Sequence, residues 1–221
     1  MTNVAVFDMN ETTLDLAPVR KLVDNLLPQA GGFTVWFQRL LQISMATTAT
    51  GVDFQDFGTL ARHAFESTAA TAGDTPAADA FGDVAAAIGA IAPYPEVVDG
   101  LGRLRAGGWK LVALTNSGQA MVDGQVERSG IAALFDHVLS VESVSTYKPS
   151  AVPYEHAIAT VGCEPRDAWM VACHDWDLAG ARAVGMRTVF VERAGMSYAG
   201  VWPAPDHSVA DFTALADALL S

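Results

Sequence analysis

The chain has 221 residues, 51% of them hydrophobic and 17% charged, which is enough apolar surface for a packed core and argues against wholesale disorder. Thirteen basic against 25 acidic residues leave a formal charge of −12. That argues against a generic nucleic-acid or anionic-membrane surface, while a few local donors could still hold a small anion. Two cysteines, Cys163 and Cys173, make neither a disulfide scaffold nor a multi-cysteine metal site. No basic leader precedes an apolar stretch, and no uncharged apolar run reaches about 18 residues, so a cytoplasmic protein that does not span a membrane is expected.

Val4-Ala5-Val6-Phe7, ended by Asp8, reads as a short buried strand. Residues 15–93 differ: they are rich in Ala, Leu and Phe, and their spacing predicts helices over 19–27, 33–45, 54–67 and 77–91. Pro28 to Gly32 and Thr71 to Pro76 are the breaks between them. From residue 95 onward strands alternate with helices. A helix over 96–105 follows Pro95 and stops at Gly107-Gly108. Strands follow at 111–114, 137–141, 169–172 and 188–191, separated by helices at 119–129, 154–160 and 178–184. This alternation predicts an α/β fold, a doubly wound parallel sheet (Rossmann-like) formed by 1–14 and 94–221. The helical block at 15–93, placed after the first strand, reads as an inserted cap.

In an open parallel sheet, ligands bind beyond the carboxyl ends of the strands. Those ends carry Asp8, then Thr115 and Asn116, and finally Cys173, His174, Asp175 and Asp177, with Lys148 following the third strand. An acid, a hydroxyl-amide pair, a lysine and a second acid thus share one rim. An aspartate in a partly dry pocket needs such a lysine to stay ionised, and a second carboxylate can hold the lysine. His174 is open to two readings, a hydrogen-bonded supporting residue or a direct acid, base or ligand. Asp177 also suits the N-cap of the helix at 178–184. Arg20 and Lys21 read as a solvated helix face, and Cys173 as a small buried residue.

The motifs Phe7-Asp8-Met9-Asn10-Glu11-Thr12-Thr13-Leu14, Leu114-Thr115-Asn116, Lys148-Pro149 and Val171 through Asp177, followed by Leu178-Ala179-Gly180-Ala181, occur in this order. The chain thereby resembles the haloacid dehalogenase superfamily over nearly its whole length. The resemblance implies Asp8 as nucleophile, Thr12 steadying it, Lys148 paired with it, and Asp177 supporting Lys148 or a hydrolytic water. It implies Thr115, Asn116 and the amides after Asp8, at Met9 and Asn10, as the grip on a substrate anion, and a homodimer.

Two residues separate the branches of that superfamily. Asn10 stands where phosphoryl-transferring members have a second aspartate, and an amide cannot act as a general acid. Cys173 stands four residues before Asp177, where a magnesium-binding carboxylate would be, and a thiol is a poor ligand for a hard cation. A halide leaves unprotonated and needs neither group. The expected function is therefore cofactor-free hydrolysis of short 2-haloalkanoic acids, resembling the type II L-2-haloacid dehalogenases, with a small-molecule haloacid as partner. Tyr154 and Trp176 match site positions of that group. Phe37 stands where the resemblance implies a cap arginine beside the halide, and Arg39 is the nearest basic candidate. Ala172 and His174 replace a serine and an asparagine. Two alternatives stand beside this reading: a magnesium-dependent phosphohydrolase using Asp8, Asp177 and Asp175, and a non-catalytic binder of small acids.

Overall fold

The computed structural model describes residues 3–27, 29–75, 77 and 79–221. The expected breaks at Pro28 and Pro76, and Ala78 of the expected helix 77–91, lie outside the described residues.

Strand β1 (Val4–Phe7) is followed by four helices, α1 (Ala17–Leu26), α2 (Gly32–Thr50), α3 (Phe57–Thr71) and α4 (Ala80–Gly89). Then come α5 (Val97–Ala106), β2 (Lys110–Thr115), α6 (Gln119–Arg128), β3 (His137–Ser140), α7 (Ala151–Val161) and β4 (Ala168–Ala172). The chain ends with α8 (Asp175–Ala183), β5 (Arg187–Val191), β6 (His207–Val209) and α9 (Phe212–Leu220). The six strands pair in the order β3-β2-β1-β4-β5-β6, and every pairing is parallel. The order reverses between β1 and β4, so a crevice opens at their carboxyl ends. None of the described helices is long and apolar enough to cross a membrane.

Alternation along the strands sorts the core. Ala5 and Phe7 of β1, with Leu111, Ala113 and Val171, face α5 and α9, and this cluster continues into the helical insertion. Val4, Val6, Val112, Leu114 and Met170 face α7 and α8. Both faces are covered, which is why the strands read as unbroken apolar runs.

Helix ends depart from the expected ones where caps intervene. The second helix runs on to Thr50 and stops at Gly51, which takes the left-handed conformation with φ 66°. The third begins at Phe57 rather than 54, because Asp56 caps it by accepting the Thr59 amide at 2.9 Å. Helix α8 begins at Asp175, with His174 in the N-cap position and no side-chain cap bond. Asp177 is therefore not the cap. It lies in the first turn, where its carboxylate favours the positive end of the helix dipole, and its side chain turns to Lys148.

Helix α5 packs so closely on α9 that a Cβ on Gly100 would lie 2.5 Å from the Phe212 carbonyl oxygen. Overpacking of this kind costs about 1–3 kcal/mol. Gly100→Ala is expected to lower the melting temperature by about 2–12 °C, at about 2–4 °C per kcal/mol for a chain of this size. An unchanged melting temperature would contradict the close approach.

Candidate active site

The site is assembled on the loop leaving β1. The Asp8 amide donates to the Val171 carbonyl at 3.0 Å, carrying the β1–β4 pairing one residue beyond the strand. The loop then folds back: Thr13 Oγ1 donates to the Asp8 carbonyl at 2.7 Å, and Thr12 Oγ1 donates to Asp8 Oδ2 at 2.7 Å. Arg193 clamps the loop from outside, with Nε and Nη2 on the Thr12 carbonyl at 3.0 and 2.8 Å and its guanidinium 3.6 Å from the centre of the Tyr94 ring.

Lys148 is 1% exposed, and its ammonium spends its three donors on Asp8 Oδ1 (2.8 Å), Asp177 Oδ2 (2.6 Å) and the Leu114 carbonyl (3.1 Å). Burial opposes its charge, but the carboxylates of Asp177 and Asp8 outweigh it and raise its pKa above the ordinary lysine value. Tyr154 donates to Asp177 Oδ1 at 2.6 Å, while burial and that carboxylate hold its phenol in the protonated form. Asn116 accepts the Lys148 amide at 3.1 Å and so fixes the lysine backbone.

On its other side Asp8 meets His174, whose Nδ1 is 3.2 Å from Asp8 Oδ2. The opposite nitrogen, Nε2, is 3.1 Å from Glu11 Oε2. Glu11 is buried, and Arg20 Nη2 donates to its other oxygen at 2.9 Å. Glu11 holds φ at 63°, a left-handed conformation that costs a non-glycine residue about 1–3 kcal/mol and is concentrated at functional sites. That backbone lies between Asn10 and Thr12, and its carboxylate meets the imidazole. Burial works against a proton on His174, yet contacts with Cys173, Asp8 and Glu11 hold its pKa well above the ordinary histidine value. For Asp8, burial favours the neutral acid; Lys148 and His174 overturn this and hold its carboxyl well below the usual range.

Asp8, Thr12, Lys148, Asp177, Asn116, Tyr154 and His174 thus meet in one bonded network. Several expected contacts are corrected by the structure. Tyr154 is wholly buried behind Asp177, and the Asn116 oxygen is spent on the Lys148 backbone, so both support the lysine instead of facing a ligand. Thr115 accepts the Ser117 amide at 3.1 Å, and Ser117 itself borders the cavity described below. Met9 is fully buried, with its carbonyl accepting the amides of Thr13 and Leu14. Arg39 is exposed and bonds Gln42, bordering a separate surface depression with Gln29 and Ser67. Two residues turn a helix by about 200°, so with Phe37 inward Arg39 points away. Arg20 is drawn onto Glu11 and the Phe33 ring while its side chain stays 40% exposed. Glu11, Arg20 and Ser117 carried no signal of their own in the sequence. Only the charged position inside the Asp8 motif hinted at Glu11.

Two cavities lie near this network, the second bordered by its His174 and the first by Asn10 of the Asp8 loop. One, of about 350 Å³, lies between the insertion and the sheet, bordered by Asn10, Trp36, Phe37, Phe57, Ser117 and Met121 among others. Asn10 Nδ2 donates to Ser117 Oγ at 3.1 Å on its wall. The other, a groove of about 840 Å³, is bordered by Glu11, Arg20, Phe37, His174 and Trp176. Phe37 separates the two, its ring centre 6.4 Å from that of His174, while Trp176 lies 5.4 Å from His174 on the other side.

The donor set does not fit the magnesium ion of a phosphohydrolase. Asp8 already holds an ammonium on one oxygen and a hydroxyl and an imidazole on the other. Asp177 is fully buried with both oxygens engaged. Asp175 turns elsewhere, accepting the amides of Trp176 and Ala199. A hard cation needs several free oxygens. Among the described residues no group of three or more His, Cys, Asp or Glu is arranged to hold a metal.

A parallel sheet with its strand order reversing at an acid–lysine–acid cluster, under a helical insertion, defines a hydrolase of the cap-bearing Rossmann-like class. The family profile of haloacid dehalogenase-like hydrolases matches residues 2–185, and the chain belongs to that family. It is 34% identical over 127 residues to an (S)-2-haloacid dehalogenase of Pseudomonas sp. (strain YL), a match covering 58% of this chain but only 55% of that protein's length. It is 27% identical over 218 residues to (S)-2-haloacid dehalogenase H-109 of Pseudomonas putida, covering 97% of this chain and 96% of the relative. The crystal structure of the L-2-haloacid dehalogenase RSc1362 superposes with a TM-score of 0.93 at 25% identity, over 100% of this chain and 99% of that one.

Proposed function

We propose that the chain hydrolyses the carbon–halogen bond of 2-haloalkanoic acids through an ester on Asp8. The observation that carries this reading is Asp8 itself: a dry carboxylate held ionised by Lys148 and His174, while the carboxylates of Asp175 and Asp177 are both engaged elsewhere. An Asp8 oxygen attacks C2 in line, the C–X bonding pair leaves with the halide, and C2 inverts. The substrate carboxylate lies against Ser117 and the Met9 and Asn10 amides, which donate to no backbone carbonyl among the described residues. The insertion, taken as 15–93, is the cap over this site.

Water then attacks the ester carbonyl carbon. Asp177 is closed off from that water by Lys148 and Tyr154, so its work is to hold Lys148. His174 is the better base. In the resting site the Asp8 charge helps keep its proton; once Asp8 is an ester that charge is gone, and the proton is released to solvent. The neutral imidazole, held by Glu11, takes a proton from water as the oxygen attacks. Collapse frees the 2-hydroxy acid and restores the aspartate and the imidazolium. Each turnover consumes one water and yields one halide and one proton.

The test of this reading is halide release from the separate enantiomers of 2-bromo- and 2-chloropropionate with EDTA present. Release supports metal-free dehalogenation; binding without release supports the non-catalytic reading instead. His174→Asn is expected to lower kcat by about 10²–10⁴-fold, the usual contribution of a positioned base. The protein should then accumulate at the mass of its substrate ester after a stoichiometric burst of halide. Loss of the burst together with turnover would place His174 in the first step and overturn its assignment as the base.

A further inference from the structure

The cavity of about 350 Å³ is far larger than a haloacetate or halopropionate requires. An apolar cavity of about 150 Å³ accepts a whole benzene molecule, so this one has room for roughly twice that content. Its walls are aliphatic and aromatic, with Leu16, Val19, Leu40, Phe57, Ala85 and Ile88 contributed largely by the insertion. It has no basic side chain on its border. Its two carboxylates are already engaged at helix starts, Asp56 by the Thr59 amide and Glu142 by the Gln119 amide. The neutral polar side chains on its border are the bonded pair Asn10 and Ser117, which adjoin the Asp8 loop. An acid headgroup therefore has one neutral polar place to go, at the Asn10–Ser117 pair, two residues along the loop from Asp8, and the remainder of the molecule must lie on hydrocarbon.

We infer that the preferred substrate is a 2-halo acid with an apolar chain or aryl group of about six to ten carbons filling this cavity, an inference that rests on the dehalogenation reading. Each methylene moved from water into such a cavity should raise kcat/KM about fourfold. The experiment is halide release with EDTA present along the series 2-bromopropionate, 2-bromohexanoate and 2-bromooctanoate. At least a tenfold rise in kcat/KM from propionate to octanoate is expected. A maximum at propionate, with a fall at each longer chain, overturns the inference and leaves dehalogenation intact.

If no member of the series releases halide, dehalogenation itself fails, and calorimetry with unhalogenated octanoate and propionate decides the cavity's preference. Tighter octanoate binding keeps the apolar-tail inference, while equal affinities or no binding overturn it. Ala85→Phe, which fills part of the cavity, is expected to cut the octanoate-to-propionate ratio at least fivefold in whichever assay reports it. An unchanged ratio removes this cavity as the site of the chain.

Discussion

Asp8→Asn is expected to lower halide release by about 10⁴-fold or more, the scale on which removal of a covalent nucleophile is felt in other hydrolases. An amide is a poor nucleophile, and this one would remain bonded on both sides. The fold should survive: the amide oxygen can still accept from Lys148, and the amide nitrogen can donate to the Thr12 hydroxyl or to a neutral His174 ring nitrogen. Lys148 would keep Asp177. Halide release and intact-protein mass on the same preparation separate loss of chemistry from loss of structure. Retained activity with no ester mass in the wild type would move the nucleophile to water and sink the covalent route.

The sheet was legible because each buried strand is a short apolar run closed by a polar residue, as at Val6-Phe7-Asp8 and Ala172-Cys173-His174. The acid–lysine–acid cluster was legible for the same reason: strand ends locate its members, and topology brings them together. The sixth strand, His207–Val209, was not, since three residues at a sheet edge carry too little periodicity to register. Helix α9 went unread beside it, although Asp211 caps it by accepting the Ala214 amide at 2.8 Å.

Side-chain direction was the larger gap. Spacing alone cannot show that Tyr154 points under Asp177 or that Asn116 turns back to the Lys148 amide, because both depend on how α7 and the loop after β2 meet. The Glu11–His174 contact joins residues 163 positions apart and rests on a left-handed backbone at a residue with a side chain. No local pattern announces such a conformation. It also gives a physical context for two departures from the family pattern. His174 brings a protonatable ring where an asparagine is implied, and Phe37 packs beside it in place of an arginine, whose charge would have opposed the imidazolium.

Lys148 carries the heaviest structural load, and Lys148→Met should show it in stability as well as activity. The substitution leaves Asp8 and Asp177 buried with no ammonium between them. Removing one partner of a buried ionic network costs about 3–5 kcal/mol, or a fall of about 6–20 °C in melting temperature at neutral pH for a chain of this size.

The sign of the Asp8 contribution to the pH dependence should also reverse. In the wild type the Asp8 carboxyl is held below its unfolded value. Its contribution is therefore fully present above about pH 4 and is lost as pH falls through the lower folded pKa. In the variant the two carboxylates face each other and low dielectric, so the folded pKa of Asp8 rises above its unfolded one, and that of Asp177, already raised by burial in the wild type, rises further. The native state then binds more protons than the unfolded state, and stability increases as pH is lowered from 7 toward 5. Thermal melts of both proteins at a series of pH values in that range test the argument. Parallel curves would mean that the two carboxylates do not depend on Lys148 for their charge. Converging curves, with the variant gaining more stability than the wild type as pH falls, would mark the lysine as the group that keeps the aspartate ionised.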